Sequence, residues 1–110
     1  MVIPDNVTIN SKSRDPRVYI LGCDIVLNLS IPTLWVETFG LTIIESLVLG
    51  KPVIAPNIGG PCEIIDNGVD GYLIDVTNIS EVVSAIKKVS TPLVYEAMSN
   101  KARIKGKKFI

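Results

Sequence analysis

The 110-residue sequence contains no histidine. A Ser-His-Asp triad, a histidine general base and a His-ligated metal are therefore excluded within the chain. Cysteine is nearly as scarce. Cys23 and Cys62 cannot make a zinc site by themselves, and Met1–Asn10 has neither a basic start nor an apolar stretch of a secretory signal. Both thiols read as reduced, in a cytoplasmic protein. Only six residues are aromatic, and no basic patch interleaves with them, so no nucleic-acid partner is indicated. No apolar run reaches the roughly 18 residues a membrane-spanning helix needs. Net charge is also absent, but unevenly so. Residues 1–100 carry six cations against eleven anions, and the last ten carry five cations (Lys101, Arg103, Lys105, Lys107, Lys108) and no anion. Such a tail reads as a solvated helix end favoured by the helix dipole, with contact to an anionic membrane surface as the alternative.

What is abundant is Ile and Val, 29 residues together. That excludes intrinsic disorder, and the length allows one domain at most. The β-branched residues gather in short runs: Val7–Asn10, Asp24–Leu29, Pro52–Ala55 and Tyr72–Ile74. Between the runs lie segments with helical spacing. Arg14–Gly22 is a short one, with Pro16 near its first turn. Gly40–Leu49 places Leu41, Ile44, Leu47 and Val48 on one face and ends at Gly50, with Pro52 beyond. Pro61–Asp66 makes one or two turns. Asn78 caps a helix running to Val89, with Glu81 completing a capping box, and Thr91-Pro92 opens a last helix. Strands alternating with helices predict an α/β fold: a Rossmann-like parallel sheet of about three or four strands, buried on both faces.

In such a sheet ligands bind beyond the carboxyl ends of the strands. Two loops reach that edge, Ser30–Thr38 and Pro56–Pro61. Phe39, Gly40 and Leu41 fall in the first helical turn, where backbone N–H groups lack intrahelical acceptors and make an anion site suited to a diphosphate. Glu37 stands just before that turn. Glu45 stands about one and a half turns inside the helix, on a largely apolar element, where a carboxylate needs a partner or a polar ligand such as a ribose diol. By pattern alone, Glu37 reads equally as an ordinary loop acid and Glu45 as an exposed helix residue. Gly59 and Gly60 offer backbone amides in the second loop, or a plain turn. Asp70-Gly71 reads as a turn into the next strand.

The run from Glu37 to Ile74 joins four motifs: Glu37-x7-Glu45, Gly50-Lys51-Pro52-Val53-Ile54-Ala55, Gly59-Gly60-Pro61-Cys62-Glu63-Ile64 and Gly68-Val69-Asp70-Gly71-Tyr72-Leu73. In this order and spacing they resemble the C-terminal, nucleotide-sugar-binding domain of retaining glycosyltransferases of the GT-B fold, family 4. Asp15–Tyr19 and Cys23–Leu27 are similar to the segment that precedes the motif strand. Ser46 stands where alanine is common in that family.

The resemblance implies a transferase using a nucleoside-diphosphate sugar as donor and no metal or other cofactor. Glu37 would be catalytic, contacting hydroxyls of the donor sugar. Glu45 would accept from the ribose hydroxyls, and the amides of Phe39, Gly40 and Leu41 would hold sugar or diphosphate oxygens. Gly59 and Gly60 would be loop contacts. Val7–Asn10 would be the third strand of this half. Residues 1–110 would be part of the C-terminal domain, partnered in the whole protein by an N-terminal acceptor domain. The isolated piece would be inactive, and would either self-associate through an open sheet edge or show a repaired one. The expected location is the cytoplasm, at the inner face of the membrane if the acceptor is a lipid. The rival class is a non-catalytic nucleotide-sugar-binding or protein-docking α/β module. A dinucleotide-dependent dehydrogenase is disfavoured, because no G-x-G-x-x-G follows a strand.

Overall fold

Among the described residues three short parallel strands, Val26–Leu27 (β1), Val53–Pro56 (β2) and Gly71–Ile74 (β3), form one sheet in that order. The computed structural model describes residues 2–10, 15, 17–29 and 40–110. Among these the elements are α1 (Arg17–Leu21), β1 (Val26–Leu27), α2 (Gly40–Val48), β2 (Val53–Pro56), α3 (Pro61–Ile64), β3 (Gly71–Ile74), α4 (Ile79–Val89) and α5 (Pro92–Lys107). The α/β expectation holds: a parallel sheet carries helices on both faces.

The middle strand explains the two layers. Val53, Ile54 and Ala55 are completely buried, and successive side chains of a strand point to opposite faces. Val53 and Ala55 pack with Ile43 and Leu47 of α2, Ile65, and Ala102 of α5. Ile54 packs on the other side with Ala85 and Val89 of α4 and Met98 of α5. The helix α5 thus serves both layers, its earlier part on one and its later part on the other.

Two glycines permit close approaches that any side chain would prevent. A Cβ at Gly71 would lie 2.2 Å from the Val53 carbonyl oxygen, where β3 runs beside β2. A Cβ at Gly106 would lie 2.6 Å from the Val48 amide nitrogen, where α5 crosses the end of α2. The end of α2 is a Schellman motif. Lys51 N–H donates to the Ser46 carbonyl (2.8 Å) and Gly50 N–H to the Leu47 carbonyl (2.9 Å), with Gly50 at φ +75°. This is the stop that the sequence places at Gly50.

Several expectations are corrected. Val7–Asn10 forms no strand: Val7 and Ile9 alternate, but both are exposed and no ladder joins them. Apolar alternation without a hydrogen-bonded neighbour does not make a sheet strand. The run Asp24–Leu29 contributes only Val26 and Leu27 to the ladder. The buried stripe of α2 is Ile43, Ser46 and Leu47, while Leu41 is 72% exposed. The apolar residues of that helix spread over almost half of its circumference, so spacing alone leaves the inward direction open. The capping box is half present. Asn78 accepts from the amides of Ser80 and Glu81, but Glu81 receives the Asp75 amide and not that of Asn78. At the last helix Pro92 occupies the first turn, and the Thr91 side chain makes no capping bond.

The basic tail is not uniformly solvated either. The Lys105 ammonium reaches the Ile64 carbonyl (3.0 Å), the Asp66 carboxylate (2.7 Å) and the Asp70 carboxylate (3.2 Å). Asp70 is 1% exposed and also accepts the Asp66 amide at 2.9 Å. Burial opposes the charge on Lys105, yet the hydrogen bonds to Asp66 and Asp70 outweigh it and hold its pKa above the usual lysine value. What reads as a plain Asp-Gly turn is thus bolted to the last helix. No described helix is long and apolar enough to cross a membrane.

Candidate functional site

The two halves of the candidate site reach the carboxyl edge of the sheet by different routes. Because β1 and β2 are parallel, α2 between them runs back across the sheet, and its first turn stands beyond the carboxyl end of β1. Gly40 and Leu41 lie in that turn, and the exposure of Leu41 leaves it open to solvent. Their N–H groups have no acceptor within the helix, and the helix dipole adds partial positive charge there. Glu37 and Phe39, the other residues expected at this end, lie outside the described residues.

Glu45 projects from the face of α2 that turns away from the core. It shares a helical stripe with Leu41, four residues before it, and Val48, three after it, and Ile44 lies beside that stripe. These residues line a cleft of about 700 Å³, completed by Asp15, Arg17, Leu49, Phe109 and Ile110. Six of its lining residues are apolar, and its three charged residues, Asp15, Arg17 and Glu45, stand next to one another. There Arg17 Nε lies 3.8 Å from a Glu45 carboxylate oxygen. Arg17 also forms a two-pronged contact with Asp15, Nε to Oδ1 and Nη2 to Oδ2, both 3.0 Å. Asp15 Oδ1 further accepts the Arg17 backbone N–H at 3.0 Å. These bonds, and after them the guanidinium charge, hold the Asp15 carboxyl below its usual range. The Asp15 carboxylate and then Glu45 raise the pKa of Arg17. Glu45 is thus neither a free surface acid nor a buried unpaired one: its side chain is 32% exposed and has a cation beside it. Arg17 is the residue that sequence reasoning did not place here. Its only signal was the similarity of the Asp15–Tyr19 segment to the family, which says nothing about a partner 28 positions away.

The second loop follows β2 at the same edge, where the Asn57 amide still donates to the Ile74 carbonyl at 2.9 Å. The two glycines differ. Gly59 takes φ +72°, which explains a glycine there, whereas Gly60 has φ −54° and open space where a Cβ would stand. The amides of Cys62 and Glu63 are spent within the loop, on the carbonyls of Gly59 (3.1 Å) and Gly60 (3.0 Å). Burial raises the pKa of Cys23, and Cys62 is exposed, its Sγ 3.5 Å from Asn57 Oδ1. Among the described residues no three His, Cys, Asp or Glu side chains are grouped to hold a metal ion.

Comparison with known proteins shows the family and the fold. Residues 3–105 match the family described as glycosyl transferases group 1. A glycosyltransferase from Rickettsia africae ESF-5 superposes with a TM-score of 0.74 at 28% identity, covering 94% of this chain and 27% of that one. HepE from Anabaena, solved in complex with UDP-glucose, gives 0.69 at 25% identity, covering 82% and 24%. A sucrose synthase from Melioribacter roseus is 50% identical over 50 residues, 46% of this chain. That stretch is 6% of the sucrose synthase, so the chain spans a small part of its curated relatives and about a quarter of the solved ones. The α/β architecture is that of GT-B glycosyltransferases, and the chain belongs to the glycosyl transferases group 1 family.

Proposed function

We propose that this chain is the donor-binding part of a retaining glycosyltransferase that moves a sugar from a nucleoside-diphosphate sugar to an acceptor without a metal ion. Glu45 accepts hydrogen bonds from the ribose hydroxyls. The amides of Phe39, Gly40 and Leu41 hold diphosphate or sugar oxygens, where uncompensated N–H groups and the helix dipole stabilise negative charge. Glu37, just before that turn, contacts the donor sugar as the catalytic carboxylate. Gly59 and Gly60 border the site. An acceptor-binding domain of the same protein faces this edge and excludes water during transfer. Alone, the 110 residues bind donor without turning it over.

One observation carries this reading. In a chain of this family, the opening turn of α2 stands at the carboxyl edge of the parallel sheet, with Glu45 half-buried on the wall of a cleft one and a half turns further on. The complex of HepE with UDP-glucose supports a uridine nucleotide as the first ligand to try.

The test is NMR titration of the labelled chain with a panel of nucleoside diphosphates, repeated with Glu45→Gln. Binding that shifts α2 amides and weakens about tenfold in the variant is expected, the loss of hydrogen bonds to a charged acceptor. Unchanged affinity in Glu45→Gln would remove the ribose role, and shifts confined to another face would remove the site.

A second reading has one observation in its favour. Val2, Ile3, Val7, Ile9, Val18, Leu21, Leu27 and Leu29 are exposed large apolar residues, all before residue 30. A module that docks through this segment, on a second copy or on the rest of the protein, would cover them.

A further inference from the structure

Glu45 carries a long side chain on an outward helix face, and such a carboxylate is free to sample several rotamers. Recognition of a vicinal diol needs its oxygens aimed in one direction. Among the described residues the Arg17 guanidinium approaches it, at 3.8 Å. We infer that Arg17 is a positioning residue for Glu45: held by Asp15, it fixes the direction of the carboxylate, so that the site distinguishes a nucleotide with an intact ribose diol from one without it. This rests on the ribose role proposed above.

Three features point this way. First, the Asp15 fork takes two guanidinium nitrogens at 3.0 Å each, and a planar cation gripped at two points keeps its orientation. The Asp15–Arg17 pair, with side chains 44% and 64% exposed, thus gives the Glu a more defined direction than a lone arginine would. Second, 3.8 Å is an ion-pair distance and is longer than a hydrogen bond. The cation orients the carboxylate without consuming the lone pairs that a diol would use. Third, among the described residues the rest of the lining is apolar apart from Asp15, which Arg17 already holds: Leu41, Ile44, Val48, Leu49, Phe109 and Ile110. A further consequence is electrostatic. A bare Glu45 would repel the diphosphate of the nucleotide it binds, and the adjacent cation offsets that repulsion.

The rival explanation is an ordinary surface pair that ties α1 to α2, which would affect folding and leave ligand discrimination alone. NMR titration of the full chain with UDP and with 2′-deoxy-UDP separates the two, using the wild type, Arg17→Met, Arg17→Lys and Glu45→Gln, with thermal melts of each. The wild type is expected to prefer UDP, and Glu45→Gln to lose the preference. Arg17→Met should lower the preference about fivefold, roughly the worth of one net hydrogen bond. Arg17→Lys, which keeps the charge, should retain more of it than Arg17→Met. If Arg17→Met weakens both nucleotides equally, or only lowers the melting temperature while the preference persists, the positioning role is wrong although Glu45 still reads the ribose. If the wild type binds neither nucleotide, or Glu45→Gln keeps the preference, the ribose role falls and this inference falls with it.

Discussion

The Lys105 ammonium stands 3.2 Å from the carboxylate of Asp70, which has only 1% of its surface exposed. The pair joins the last helix to the turn that enters β3. The Lys105 side chain is itself 15% exposed, so neither charge is well solvated by water. Removing one partner of such a pair leaves the other buried and uncompensated. Lys105→Met is expected to destabilise the chain by about 3 kcal/mol, the lower part of the range for broken buried pairs, since the second partner Asp66 faces water. Urea unfolding measures it. A loss below about 1 kcal/mol would mean that the Asp70 charge is compensated elsewhere.

Asp66 gives the same cluster a pH dependence. The Lys105 hydrogen bond, and then its charge, hold the Asp66 carboxyl below the usual range. Its folded pKa is therefore lower than its unfolded one, near 3.9 for an ordinary aspartate. Below that unfolded value the unfolded chain binds more protons, so stability is complete above it and is lost as pH falls through the folded value. Asp75, lowered by the Thr77 hydroxyl and amide, and Asp15, lowered by Arg17, act in the same direction. Melting temperature against pH should fall below about pH 4, and less steeply in Asp66→Asn. Identical slopes would show that the Lys105–Asp66 contact does not persist in solution.

The sequence revealed the elements better than their connections. The run Val53-Ile54-Ala55 read as a strand buried on both faces, and all three residues are completely buried. Gly50 read as a helix stop and sits in a Schellman motif. These are local signals, carried by residue type and period. Lys105 read as part of a solvated basic tail because its partners lie 35 and 39 positions earlier, a distance over which periodicity carries no information. Arg17 escaped notice beside Glu45 for the same reason. The inward direction of α2 is not legible because Leu41, Ile43, Ile44, Leu47 and Val48 spread over almost half of the helix circumference, and only tertiary packing selects Ile43 and Leu47.

Two buried serines should respond to different degrees to loss of their hydroxyls. Ser46 Oγ donates back to the Thr42 carbonyl at 2.7 Å within α2. That carbonyl is already positioned for the helical bond, and alanine is the better helix former, so Ser46→Ala should change stability by less than about 1 kcal/mol. Ser99 Oγ donates across the fold to the Gly50 carbonyl at 2.7 Å. Ser99→Ala removes the donor that α5 brings to the end of α2, and should cost about 1–3 kcal/mol. Parallel denaturant titrations compare them. Equal losses would show that the Ser99 bond has no special weight.

The crossing of α5 over α2 ties stability to the candidate site. Gly106 lies so close to Val48 that an added methyl would meet its amide nitrogen at 2.6 Å and its Cα at 2.7 Å. Both are backbone atoms and cannot rotate away, so Gly106→Ala forces the two helices apart. The cost should be about 1–3 kcal/mol, the range for overpacking, despite the gain in helix propensity that alanine brings. The displaced partner is the helix that carries Glu45, one turn before Val48, with Arg17 beside it. Amide shifts in Gly106→Ala should therefore extend from Leu47 and Val48 to Glu45 and Arg17, seen by NMR at a temperature where the variant is folded. Shifts that stop at Val48 would mean that α2 absorbs the strain by local bending, leaving Glu45 in place.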